Sequence, residues 1–327
     1  MHHISLRRRT LLGAAAALTC ATLPALSLAQ TYPTKPITLV VPSLAGGGTD
    51  AIARALGREL GKKLGQTVVV ENVAGASGSI GAAKVIRSQP DGHTLLVANS
   101  DLALATLVHK NPGYALTDLA PIAKLGSSPL SLVARKGFQA TDLDQLIKMA
   151  KAQPGKISVA LSGAAALPAL GVAMLEEAAQ VEFLKIPYKG AAQAMTDVLG
   201  GQVDLCVTAV LNSLGPARAG QVKMLGIMSE ERLAAAPELP RIPDNPVTRT
   251  VSLDIWIGLF GPAGMPAPVV QKSNEAVQSI LGDPAYKAVR AKAGEQTAQP
   301  ATAQDFAKYL TAETARYRVA AKRLPTE

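Results

Sequence analysis

Histidine and cysteine are scarce in this chain, with four His and two Cys among 327 residues. His2 and His3 fall in an N-terminal leader, while His93 and His109 stand alone without a second ligand at helical or hairpin spacing, so no metal site is expected. Cys20 leaves with the leader, and its neighbours Ala17, Leu18 and Thr19 make a poor lipidation box. Cys206 is then alone, which excludes an internal disulfide, and its apolar surroundings suit a buried small hydrophobe. Aromatic residues make up 3%, and no run of Lys or Arg beyond the leader exceeds two, so nucleic-acid binding lacks its basic patches and stacking rings. No Walker sequence follows a glycine turn, and no G-x-S-x-G elbow surrounds Ser162. No acid, base and nucleophile assemble into a catalytic set. The expectation is a protein without cofactor or enzymatic activity.

The leader is the first feature that is present. Arg7, Arg8 and Arg9 precede an apolar run over residues 11–18, too short to anchor in a bilayer, and Ser27-Leu28-Ala29 offers the small residues of a cleavage site. Residues 1–29 therefore read as a signal peptide. Two routes fit, an ordinary Sec leader and a twin-arginine signal in Arg8-Arg9-Thr10-Leu11-Leu12, and both end outside the cytoplasm. Cleavage after Ala29 removes three Arg and no acid, leaving 30 basic against 24 acidic residues. The resulting +6 is spread thinly, which suits attraction of small anions.

Beyond the leader, β-branched runs alternate with Ala/Leu-rich segments, the pattern of an α/β fold, and the length suffices for two domains. The organising stretch is residues 37–64. It reads as a buried strand (Ile37, Thr38, Leu39, Val40, Val41), a turn holding Gly46, Gly47 and Gly48, and a helix with Ile52, Leu56, Leu60 and Leu64 on one stripe, capped by Thr49 or Asp50. A helix start has unpaired N–H groups and about half a positive charge, so it stabilises an anion. Gly46, Gly48 and Ala51 also fit a G-x-G-x-x-A fingerprint, with Glu71 ending the second strand. That is the alternative reading: an exported enzyme, or a dinucleotide- or flavin-binding protein, on a related α/β fold.

The same logic recurs along the chain. A strand over 67–70 leads to a turn with Gly75, Gly78 and Gly81, and a strand over 95–98 ends in Asn99-Ser100-Asp101. A strand over 157–161, after a helix over 142–152 capped by Thr141, opens into Ser162-Gly163-Ala164-Ala165-Ala166. Further strands are expected over 121–134, 203–208, 222–228 and 256–260, and helices near 269–281, 285–293 and 304–320. His93, after a turn, is expected at the surface. Tyr188 is either a half-buried prop or a ligand contact. Crossings near residues 131 and 249 describe a discontinuous protein: domain 1 over 30–130 plus 250–327, domain 2 over 131–249, and a ligand cleft between them.

Several stretches carry a family resemblance. They are Tyr32-Pro33 to Pro42 with Gly46-Gly47-Gly48-Thr49-Asp50, Val69-Val70-Glu71-Asn72 with the turn over 75–81, Pro90-Asp91-Gly92-His93-Thr94-Leu95-Leu96, Pro187-Tyr188-Lys189-Gly190, residues 197–204, and residues 256–266. In this order they resemble the Bug family, the extracytoplasmic solute receptors of tripartite tricarboxylate transporters. The resemblance implies a type II periplasmic-binding-protein fold, two α/β domains with two crossover connections, closing over a small organic carboxylate and delivering it to membrane permease subunits. A periplasmic monomer is expected. By the same resemblance the ligand contacts fall at Gly46, Gly47, Gly48 and Thr49, at Ser162 and Gly163, and at Asn99 and Ser100; the expected site also takes in the approach Ser43-Leu44-Ala45, Ala164, Tyr188 and Thr208. The chain departs from the family where Ser43-Leu44-Ala45 replaces an aromatic and two prolines, where residues 164–168 replace Thr and Ser, and where Thr208-Ala209 replaces an acid or amide. Fewer side-chain donors remain, so the expected solute is a carboxylate with an apolar body, or a relaxed set, rather than a dicarboxylic amino acid.

Overall fold

A computed structural model describes residues 32–163 and 166–324; the leader with Cys20, and Ala164, lie outside the described residues. Strand β1 (Ile37–Val41) is apolar and buried except at Thr38, as suits a strand covered on both faces, and it pairs in parallel with β2 (Val68–Asn72) and β3 (Thr94–Asn99). Helix α1 (Gly48–Leu64) buries Ile52, Leu56 and Leu60 and stops at Gly65, whose left-handed φ of 66° lets its N–H close on Gly61 O. Helices α2 (Ser79–Ile86) and α3 (Asp101–Val108) follow β2 and β3. His93 is buried, against the expectation. Its Nε2 accepts from Thr34 N–H at 3.1 Å and its ring meets Tyr32 edge-on, so the turn at Gly92 folds inward rather than into solvent.

The chain then enters β4 (Leu119–Arg135), 17 residues long, and the rest of the molecule is laid out along it. Helix α4 (Leu143–Ala152) is capped by Asp142, which takes Gln145 N–H at 2.8 Å, rather than by Thr141. There follow β5 (Ser158–Leu161), α5 (Leu167–Ala179), β6 (Leu184–Pro187), α6 (Ala191–Leu199), β7 (Leu205–Ala209), α7 (Val210–Arg218) and β8 (Val222–Ile227). After two short 3-10 turns come β9 (Asp254–Pro262), α8 (Ala267–Gly282), α9 (Pro284–Lys292), β10 (Gln296–Thr297) and α10 (Ala303–Ala320).

The sheet runs β2-β1-β3-β9-β4-β7-β5-β6. The first part of β4, to Pro129, pairs with β9; from Leu130 onward it lies between β7 and β8. One strand thus serves two half-sheets. The return passage is tied to the same point: Met228 N–H donates to Leu130 O, Leu253 N–H to Met228 O, and Leu130 N–H to Leu253 O, all within 3.0 Å. Two chain passages hydrogen-bonded side by side are a hinge. Ser128 reinforces it, donating to Gly294 O at 3.1 Å and accepting Leu211 N–H at 3.2 Å. The few aromatics concentrate in the first half, where Trp256, Phe260 and Phe306 pack with ring centroids 5.3–6.1 Å apart. Among the described residues no helix is long and apolar enough to cross a membrane.

Candidate functional site

The C-terminal ends of β1, β3, β5, β6 and β7 open onto one cleft between the half-sheets, which holds a cavity of about 570 Å³. The helix after each of these strands starts on its wall: Gly48 and Thr49 of α1, Asp101 and Leu102 of α3, Ala166 and Pro168 at the head of α5, Gly190 and Ala191 at the head of α6, and Ala209 and Leu211 at the head of α7. The residues that open α1, α5, α6 and α7 are Gly47, Ala166, Gly190 and Ala209, and none supplies a side-chain cap. Helices α4, α9 and α10, which start away from this wall, are capped by Asp142, Asp283 and Thr302. Helix α8, which also starts away from the wall, has no side-chain cap either, so what distinguishes the wall is that four helix starts without side-chain caps, each with its partial positive charge, converge on one cavity. Two of these N–H groups are already used: Leu211 N–H by Ser128, and Leu167 N–H by Asp101 at 2.8 Å.

The first glycine turn is braced from behind. Asp50 is buried; its Oδ2 accepts from Gly46 N–H and Arg54 Nε, and its Oδ1 from Asn72 Nδ2, each at 3.0 Å. Asn72 also donates to Ser43 O at 3.2 Å and accepts from Arg54. Asp50 thus caps nothing itself: it sits in the first turn of α1, reaches back, and fixes the loop. Burial alone would raise its carboxyl, but the bonds from Arg54, Gly46 and Asn72 outweigh burial and hold it below the usual carboxylate range. A depressed folded-state value contributes stability above the unfolded value of about 3.9, which is lost as pH falls through the folded one. Asp50→Ala is expected to lose about 1–3 kcal/mol at pH 7. Urea unfolding at pH 7 and in acid checks this, and the gap to the parent protein closes as the pH drops below the folded value.

Other polar groups converge on the same wall. Thr208 Oγ1 accepts from Asn212 Nδ2 at 2.9 Å, which leaves the threonine proton to donate. Tyr188 keeps one edge on the cavity while its hydroxyl donates to Asp197 at 2.7 Å, so it is a prop and a wall residue together. Among the described residues Asp101 is the only acid of the wall and Lys189 its only base. Burial raises the Asp101 carboxyl, with the Leu167 N–H and the Asn99 side chain pulling it back in part. Cys206 lies off the wall in the interior, its thiol pushed up to about 12 by burial, which leaves it inert.

Of the residues named from sequence, Ser43, Leu44, Gly47, Gly48, Thr49, Asn99, Ser162, Gly163, Tyr188 and Thr208 are brought to one wall. Gly46 backs onto a smaller recess beside it, with its N–H taken by Asp50, and Ala45 faces solvent. Ser100 is a correction: it is fully buried, and its hydroxyl accepts Trp256 N–H at 2.9 Å, because the end of β3 is still exchanging bonds with β9 there. The next residue, Asp101, takes the place on the wall. It belongs to the polar trio that ends the strand, so its type was visible in the sequence although its direction was not. Leu211, Asn212, Ile255 and Ile257 were not named, since nothing local marks them; they arrive through α7 and β9 from far along the chain. Glu71, the acid of the dinucleotide fingerprint, lies off the wall and pairs with Lys84 at 2.5 Å.

Two half-sheets joined by paired passages, with helix starts from both halves facing one cleft, define a two-lobed solute-binding protein of the periplasmic type. The chain belongs to the tripartite tricarboxylate transporter receptor family: the family profile so described matches residues 52–324. It is 33% identical over 312 residues, 95% of this chain and 92% of the relative, to a UPF0065 protein in the tcbD-tcbE intergenic region of Pseudomonas sp. (strain P51). Among solved structures it is similar to the periplasmic binding protein BugD, with a TM-score of 0.84 and 35% identity over 89% of this chain and 98% of that one. It is also similar to R. palustris Rpa4515 with adipate, with a TM-score of 0.86 and 28% identity over 90% and 99%. The Bug-family resemblance and the periplasmic-binding-protein fold expected from sequence are thereby established.

Proposed function

We propose that this protein is an exported receptor that closes over a small carboxylated solute and hands it, chemically unchanged, to membrane permease subunits. The observation that carries the reading is the convergence of four helix starts without side-chain caps on one cavity between the lobes. An anion there gains hydrogen bonds and dipole stabilisation from both halves only when they are closed, so binding and closure are one event. The adipate bound by the R. palustris relative supports the class. In this reading residues 1–29 are the export signal, residues 30–130 plus 250–327 form one domain and 131–249 the other, and the receptor works as a periplasmic monomer. The wall residues Ser43, Thr49, Asn99, Ser162 and Thr208 supply hydroxyl and amide contacts, and Leu44, Ala166, Pro168, Ile255 and Ile257 enclose an apolar body.

Thermal unfolding against a panel of carboxylates tests this. A true ligand at a hundred times its Kd stabilises the folded state by about 2.7 kcal/mol, and native mass spectrometry of the purified protein is expected to show a carried-over acid. A panel in which no carboxylate raises the melting temperature, with amines or sugars doing so instead, overturns it.

A further inference from the structure

The acid on the cavity wall has a placement that the receptor role does not by itself require. Asp101 belongs to the first residues of α3, in the lobe built on β1, β3 and β9, yet its Oδ1 accepts Leu167 N–H at 2.8 Å from the first turn of α5 in the other lobe. That N–H is one of the anion-receptive groups of the second jaw. Helix α5 is 13 residues long and starts on Ala166, which has no side chain able to cap it. A carboxylate is therefore bound at this helix start already, and the protein supplies it. The same wall carries the apolar Ala98, Leu102, Pro168 and Ile257 beside Asn99 and Ser162, and among the described residues its only base, Lys189, is exposed.

Resting on the carboxylate-receptor reading, we infer that Asp101 stands in for the second carboxylate of a dicarboxylate solute, so that this receptor selects a monocarboxylate whose far end is apolar. A solute that carries two carboxylates would bring its second one to a helix start whose N–H is already taken by the Asp101 carboxyl, so that group would go without the hydrogen bond and meet another carboxyl at close range. A solute with an apolar far end can rest on Ala98, Leu102, Pro168 and Ile257 of that wall. Because Asp101 is hydrogen-bonded to Leu167 N–H, it is engaged across the cleft rather than waiting for a cation. The same bond ties the lobes in the closed form, and the solute's single carboxylate falls to the starts of α1, α6 and α7.

Three probes of equal chain length that differ only at the far end separate the possibilities in isothermal titration calorimetry: hexanoate, adipate and 6-aminohexanoate. The parent protein is expected to bind hexanoate at least about ten-fold more tightly than either of the others. Asp101→Ala, which vacates the α5 start, is expected to shift the adipate-to-hexanoate ratio by about ten-fold or more toward adipate. Asp101→Asn keeps an acceptor for Leu167 N–H without the charge, so comparing it with Asp101→Ala separates loss of the charge from loss of the bond, and circular dichroism checks that both variants are folded. Adipate binding as tight as hexanoate, or an unchanged ratio in Asp101→Ala, overturns the inference and leaves the receptor reading standing. Tighter binding of 6-aminohexanoate overturns it by showing that Asp101 reads a cation. Binding of none of the three overturns it also, and stabilisation by no carboxylate in the thermal panel overturns the receptor reading as well.

Discussion

Gly48→Val is expected to weaken solute binding by about ten- to hundred-fold while leaving the melting temperature of the ligand-free protein nearly unchanged. A Cβ on Gly48 would stand 1.7 Å from Leu211 Cδ1, 2.9 Å from Leu211 Cγ and 3.0 Å from Asn212 Oδ1. Gly48 begins α1 in one lobe and Leu211 lies in the first turn of α7 in the other, so the clash exists only where the lobes meet. Opening the cleft relieves it. The overpacking cost, about 1–3 kcal/mol, therefore falls on the closed, ligand-holding arrangement and hardly on the fold. Alanine at 48 is the milder case, because the nearest atom is a terminal methyl that can rotate away, whereas valine adds further carbons in the same gap. Leu211→Ala in the Gly48→Val background is expected to recover most of the affinity, and the double-mutant cycle from calorimetry measures the coupling. A loss of melting temperature as large as the loss of affinity would place the clash inside one lobe and refute this account.

Arg290→Met is expected to destabilise the protein by about 3–5 kcal/mol, the largest stability effect of the substitutions considered. Arg290 and Glu295 form a buried ion pair, with Nε and one terminal nitrogen at 2.6 and 2.5 Å from the same Glu295 oxygen and side chains 7% and 0% exposed. Removing the guanidinium leaves a carboxylate in the interior beside Gly126 of β4, next to the hinge. Burial already raises the Glu295 carboxyl above its usual range, with Arg290 pulling the other way. A raised folded-state value means that stability is fully present below the unfolded value of about 4.3 and is lost as pH rises through the folded one. The damage in Arg290→Met should accordingly be smallest in acid, where Glu295 takes up a proton, and largest at pH 7 and above. The double variant R290M/E295L, which replaces both charges by apolar groups, should regain most of the stability, because the pair's attraction roughly balances its own desolvation. Urea unfolding of the three proteins across pH decides it.

The two substitutions act at different levels. Gly48 sits where the lobes separate and rejoin, so its effect is on a conformational equilibrium. Arg290 sits behind the hinge, with Gly294 O bound by Ser128 a few residues away, so its effect is on the folded state as a whole. If solute binding is hinge closure, the first should leave a folded but open receptor and the second a receptor of normal affinity in whatever fraction remains folded.

By itself the sequence determined the elements and the kind of turn between them. A run such as Ile37 to Val41, with β-branched and leucine side chains on both faces, has no stable place except a covered strand, and the four-residue spacing of Ile52, Leu56 and Leu60 has none except a helix lying on it. The missing cap of α1 was not legible: Thr49 and Asp50 have the side chains of a cap, and only the fold sends Asp50 back to Gly46 N–H instead. The α7 segment was not legible either: Gly215 and Pro216 punctuate it, yet the tertiary packing around Ser128 and Gly294 holds it helical. Only the tertiary structure decided which helix starts share a cavity, since that follows from the sheet order β3-β9-β4-β7 and not from any local pattern. It turned Ser100 inward to the β9 backbone and Asp101 outward to a helix 66 residues further along the chain. It also set Leu211 against Gly48. Periodicity fixes what each segment buries against its own sheet; the partner that a side chain meets across a cleft depends on every connection in between.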